Sequence, residues 1–335
     1  MKIIKIIVSI FICGITCASC QDRSALKITL EVADDVGIPV DVATIETDLF
    51  DRWQPGEGFG KDLYKKLQAI TADSGLAVLE AESSRCALVL RAKKSGYYWA
   101  GAEFKSINTS KGQWQPWNPT IKMELKRVLN PIPLIAKKVI RNYADYVQLP
   151  GTGIDVGFDL ERGDWVTPHG AGTTADILFR MEGKTEDAFA LYDTRLHITF
   201  SHPQDGLVLH ETKPVKGSGL RLPYLAPEAG YASEWLQRKA RVPGATTGVL
   251  AGIPQVIDEA KPTENYFLRL RTKVDGDGKV ISAHYAKVQG GFLWYPSGLV
   301  KFQYCFNPTA NDRNLEFDTT RNLLRVLPGQ EVKDP

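Results

Sequence analysis

The chain has 335 residues, 41 basic and 39 acidic. Lys2 and Lys5 belong to an opening export segment, so the remainder balances at 39 of each. That excludes a nucleic-acid footprint, which needs a basic excess on one face, and the length predicts two domains at ~100–200 residues each.

The first twenty residues, MKIIKIIVSIFICGITCASC, predict export. A short basic region, an apolar core from Ile6 to Ile15 and small residues before Cys20 are the layout of a secretory signal peptide. The apolar stretch is about half the ~20 residues that a spanning helix needs. Ala18-Ser19-Cys20 resembles the last three positions of the bacterial lipobox, whose cysteine takes the lipid; Cys17 stands where that pattern has an aliphatic residue. The resemblance implies a mature chain held in the cell envelope by lipid on Cys20, at a periplasmic or outer-membrane face. Cleavage without acylation gives a soluble secreted protein instead. Cys20, Cys86 and Cys305 remain after export; the last two read as separate buried thiols, and no Cys or His spacing predicts a metal site or a cofactor.

Residues 25–33 place Leu26, Ile28, Leu30 and Val32 on one face, the period of a half-buried strand. Residues 38–47 are rich in β-branched side chains, and residues 68–82 read as strand, turn and strand around Asp73-Ser74-Gly75. Strands follow at 86–92 and 120–128. Lys61 to Leu67 places Leu63 and Leu67 at i, i+4, which predicts a short helix within an insertion that starts near Asp48. Short strands at this spacing predict a β-sandwich over 24–128 with one helical insertion.

Three pieces of this segment match a known pattern: Gly37-Ile38-Pro39-Val40, the turn Thr71-Ala72-Asp73-Ser74-Gly75, and Lys94-Ser95-Gly96-Tyr97. In these the segment resembles the carboxypeptidase-regulatory-like (transthyretin-like, immunoglobulin-like) modules of exported bacterial proteins. The resemblance covers about 100 residues, and it implies a sandwich fold without catalytic residues.

Asn130-Pro131-Ile132-Pro133 reads as the joint, with a linker over 129–149. A second β-rich domain is expected over 150–326 and a flexible tail over 327–335. Residues 195–200 and 207–212 read as a hairpin with Asp205-Gly206 at its tip, and 267–274 with 279–288 as another. Residues 299–306 alternate; 134–141 and 231–240 read as helical pieces.

Candidate residues for chemistry are few. Asp159, Glu161 and Asp164 could form the carboxylate pair of a glycoside hydrolase, or simply a turn. His197 and His202 point to opposite faces of one strand, whereas the hairpin would set His197 and His210 on the same polar face, ~6–8 Å apart at Cβ as diagonal neighbours. Asp275-x-Asp277-x-Lys279 is a hairpin tip rather than a calcium loop, since lysine replaces an acceptor. Trp114 and Trp117, in a Gln/Asn/Pro stretch, read as a stacking platform for a sugar or as core rings. The chain thus reads as all-β, with two β-sandwich-like domains. The leading expectation is a non-catalytic envelope protein that binds a glycan or a protein partner. A hydrolase with a catalytic second domain is the alternative.

Overall fold

The computed structural model describes residues 23–56, 58–140, 147–187, 189–212, 217–247, 252–261 and 263–335. The export segment and Cys20 lie outside them. The described residues are strand and turn, with no helix, and the chain divides into two compact units between Lys126 and Arg127.

The first unit holds nine strands: β1 (Ser24–Asp34), β2 (Thr44–Gln54), β3 (Lys61–Ile70), β4 (Leu76–Ser83), β5 (Ala87–Lys93), β6 (Ala100–Lys105), β7 (Asn108–Ser110), β8 (Gln113–Gln115) and β9 (Thr120–Leu125). One sheet runs β4-β1-β8-β7, with β9 also on β1; β8 and β9 lie parallel to β1. The second sheet runs β3-β2-β5-β6 and is antiparallel throughout. The alternation read in β1 holds: Leu26, Ile28, Leu30 and Val32 are buried and share one core with Ile45, Leu49, Leu88 and Leu90 of the second sheet. This is a sandwich held by period-two burial.

The expected helix at Lys61 to Leu67 is strand β3. It pairs with β2 from Thr44↔Ile70 to Gln54↔Lys61, with one irregularity between Phe50 and Arg52. Leu63 and Leu67 misled because four is an even number: i and i+4 share a face in a strand as well as in a helix. The turn at Thr71 to Gly75 exists, but it carries the chain from one sheet to the other rather than closing a hairpin. Thr71 Oγ1 donates to Val40 O and accepts from Ala43 N, and Gly75 holds φ +72 against Val32 O.

The second unit holds β10 (Ile135–Val139), β11 (Thr152–Asp159), β12 (Asp164–Trp165), β13 (Ile177–Glu182), β14 (Tyr192–Thr199), β15 (Gly206–Glu211), β16 (Glu234–Val242), β17 (Gln255–Asp258), β18 (Glu264–Val274), β19 (Val280–Trp294) and β20 (Val300–Asn307). A six-stranded sheet, β12-β11-β13-β14-β16-β17, faces a five-stranded sheet, β10-β20-β19-β18-β15. Their common core is aromatic. Phe158, Trp165, Phe179, Phe292 and Phe302 form a chain of rings with centroids 5.1–5.7 Å apart. The outer side of the five-stranded sheet carries a further core, where Phe267 and Cys305 meet Leu222, Leu315, Phe317 and Val332.

Several expectations for this half are corrected. Residues 231–240 lie largely in β16 and 134–141 contain β10, so both helical pieces are strands and the linker contributes one to a sheet. The hairpin around Asp205-Gly206 is a crossover: β14 pairs with β13 and β16, while β15 pairs with β18. Asp205 is buried and accepts from Arg271 N and Thr272 N, which ties this crossover to β18. The tail is packed, because Val332 fills the outer core, Lys138 N donates to Gln330 O and Gln289 Nε2 to Pro335 O. Cys305 is a free, fully buried thiol, which burial pushes up to about 11. Cys86 is disulfide-bonded rather than free, and Cys305 is not its partner.

Candidate functional site

The carboxylate cluster was legible as a cluster, and the structure gives its purpose. Asp159 ends β11 with its side chain buried. Its carboxylate accepts from the backbone N–H groups of Glu161, Arg162, Thr173 and Thr174. Burial opposes its charge; these bonds and Arg271 outweigh that and hold the carboxyl below its usual range. Asp176, which the sequence did not single out, lies beside it, and burial raises its carboxyl. Arg271 of β18 bonds both Asp176 oxygens, at 2.7 and 3.0 Å, reaches Asp159 at 3.3 Å and pairs with Glu161. Asp164 accepts from Trp165 N and Ala171 N, capping the β12 loop. Three acids are therefore spent on one guanidinium and the fourth on a turn. None is left poised as an acid–base pair.

His197 and His210 do not meet. Leu196 and Ile198 enter the core, so His197 lies on the outer face of the six-stranded sheet, 3.5 Å from Glu182. Leu207 and Leu209 face the same core from the other sheet, so His210 lies on that sheet's outer face, edge-on to Phe267. The crossover puts both sheets between the imidazoles. Among the described residues, no group of three or more His, Cys, Asp and Glu is placed to hold a metal ion.

The tryptophan pair is split. Trp114 is buried and stacks on Phe104, with centroids 6.2 Å apart, so it belongs to the core and not to a platform. Trp117 is 40% exposed.

The concave feature the sequence did not reveal is a groove of about 930 Å³ on the outer face of the β3-β2-β5-β6 sheet. Register explains it. Asp48 lies opposite Lys66, Phe50 opposite Tyr64, Glu46 opposite Arg91, and Val89 opposite Glu103, so all eight side chains leave the same face. Glu46 is held by Lys93 at 3.0 Å and Lys66 at 3.4 Å, and the Lys93 bond lowers its carboxyl. The Arg91 guanidinium lies 4.7 Å over the Trp99 ring. Tyr64 stands 53% exposed, edge-on to Phe50 at 6.0 Å, and its hydroxyl accepts from Arg85. The face therefore offers one exposed ring among alternating acids and bases. Its missed signal was the outward alternation of Glu46, Asp48 and Phe50 in β2 with Ala87, Val89 and Arg91 in β5.

No protein-family model and no curated protein matches the chain.

Proposed function

We propose that this chain is an exported, non-catalytic protein of the cell envelope, and that the groove of its first unit binds a glycan. The observation that carries the reading is the groove face itself. Tyr64 offers a flat apolar ring, and Glu46, Asp48, Lys66 and Arg91 offer donors and acceptors around it with balanced charge. A polyhydroxylated, uncharged ligand matches such a face, because hydroxyls serve both signs and the ring takes the apolar side of the sugar. The carboxylates proposed for hydrolysis are instead bound to Arg271 and to backbone N–H groups. The resemblance of residues 24–128 to carboxypeptidase-regulatory-like modules agrees with a non-catalytic role. A protein partner on the same groove is the second reading.

Affinity gels cast with starch, xylan, mannan or xyloglucan test the glycan. At least one should retard the wild type, and Tyr64→Ala/Arg91→Ala should abolish the retardation without lowering the melting temperature. Retardation that survives in the double variant removes the groove from the account.

A further inference from the structure

We propose that Cys86 is bridged to Cys20, so that a disulfide, and not a lipid, occupies the Cys20 sulfur. This rests on the reading that the chain is exported. The chain has five cysteines, at positions 13, 17, 20, 86 and 305. Cys86 is disulfide-bonded, and Cys305 is a free thiol of the second unit. Cys86 is 8% exposed at the end of the first core, which shields it from a second copy. Its partner is therefore one of the three cysteines that precede Arg23. Cys13 and Cys17 belong to the export segment, where Thr16 and Ala18 are the small residues of the cleavage zone. Cleavage after Ala18 removes both and leaves Cys20 as the second residue of the mature chain.

The described residues set the two ends of the bridge close together. β1 begins with Ser24 paired to Ser83 of β4, and Cys86 follows Ser83 by three residues. Neighbouring strands lie ~5 Å apart and three residues span at most ~11 Å, so Cys86 lies within ~16 Å of Ser24. The four residues from Cys20 to Ser24 reach ~14 Å when extended, and a disulfide adds ~5–6 Å between Cα atoms. The bridge closes even at the longest span. Facing agrees with reach. Ser24, Leu26 and Ile28 turn inward from β1, and Cys86, Leu88 and Leu90 turn inward at the start of β5. In sequence, Cys20 has the parity of the first set, the one that period two directs inward. The main chain at Cys86 is fixed, since Ser106 N donates to Cys86 O at 2.7 Å.

Bridge formation joins the two sulfurs and releases two protons and two electrons. A disulfide-bearing oxidant of the export compartment takes the electrons and leaves as a dithiol. A sulfur held in a disulfide has no thiol left to take a lipid. The bridge and the acylation that Ala18-Ser19-Cys20 suggests therefore exclude each other. The bridge ties the chain ahead of β1 to the start of β5, one strand from each sheet of the first sandwich, and removes conformational freedom from the unfolded chain.

The test maps the bridge in two preparations. One is the full chain, exported by its own leading segment into a bacterial periplasm; the other is residues 19–335, purified reduced and then oxidised with glutathione disulfide. Each is unfolded and alkylated without reduction, then cut with trypsin, which cleaves after Arg23, Arg85 and Arg91. One product should join residues 19–23 to residues 86–91, come apart on reduction and carry no acyl mass, while Cys305 is alkylated. Cys20→Ala should free Cys86 for alkylation and lower the melting temperature of the first unit by about 10 °C, the loss expected for a native disulfide. Cys17→Ala should change neither. A free Cys86 thiol in the exported chain or in the oxidised one, a Cys86 peptide joined to any other cysteine, or acyl chains on Cys20 overturns the proposal. The bridge found in residues 19–335, with the full chain retained in the cytoplasm, supports it while removing the export reading, so the two ideas fail separately.

Discussion

Arg271 is the residue on which the second unit's buried charge depends. Its side chain is 23% exposed, whereas those of Asp159 and Asp176 are 2% and 0% exposed. Removing the guanidinium leaves two buried carboxylates without their cation, which costs ~3–5 kcal/mol for a broken buried pair. Arg271→Met should therefore lower the denaturant midpoint strongly at pH 7. The pH dependence has a definite sign. Asp159 sits below its ordinary range, so its contribution is present above the unfolded carboxylate value and is lost as pH falls through the folded one. Asp176 sits above its range, and without Arg271 it rises further and takes a proton. The deficit of Arg271→Met against the wild type should thus shrink between pH 7 and pH 5. A deficit that stays constant or widens would show that the carboxylates are not what the arginine neutralises.

At the scale of elements, the turns decide which sheet each strand joins. Gly75 makes the crossing from β3 to β4 at φ +72, and a Cβ there would lie 2.5 Å from Val32 O. Gly276, at the β18–β19 hairpin tip, has open space around it and no such φ. Gly75→Ala should cost about 2 kcal/mol or more, from left-handed strain and the backbone clash, and Gly276→Ala close to nothing. Equal costs in urea unfolding would reject the crossing as drawn. This contrast also marks what the sequence can and cannot say. Alternation in β1, β9 and β20 was readable because burial on one face leaves a period of two. Asp205-Gly206 and Thr71 to Gly75 were readable as turns, but turn chemistry is local, and a strand's next partner is set by distant packing. Hence His197 and His210 looked like neighbours across a hairpin and stand on opposite sides of a sandwich. Leu63 with Leu67 and the pattern of 231–240 fit either period, and tertiary pairing made both strands. The acids at 159–164 were visible, but Arg271, over a hundred residues away, was not.

At the scale of the molecule, two sandwiches with separate cores divide the chain at Lys126 and Arg127. The second spends its clustered charge on its own architecture; the first turns an ordered charged face outward. On the function proposed above, this face holds the ligand. Hydrogen–deuterium exchange of the whole chain, with and without the polysaccharide that retards it in gels, tests the claim most directly. Protection is predicted in β2, β3 and β5, across Glu46 to Asp48, Tyr64 to Lys66 and Val89 to Arg91, with the second unit unchanged. Protection centred on Asp159 to Asp176 and Arg271, with the first unit unchanged, would contradict it and return the second unit to consideration as the site of chemistry.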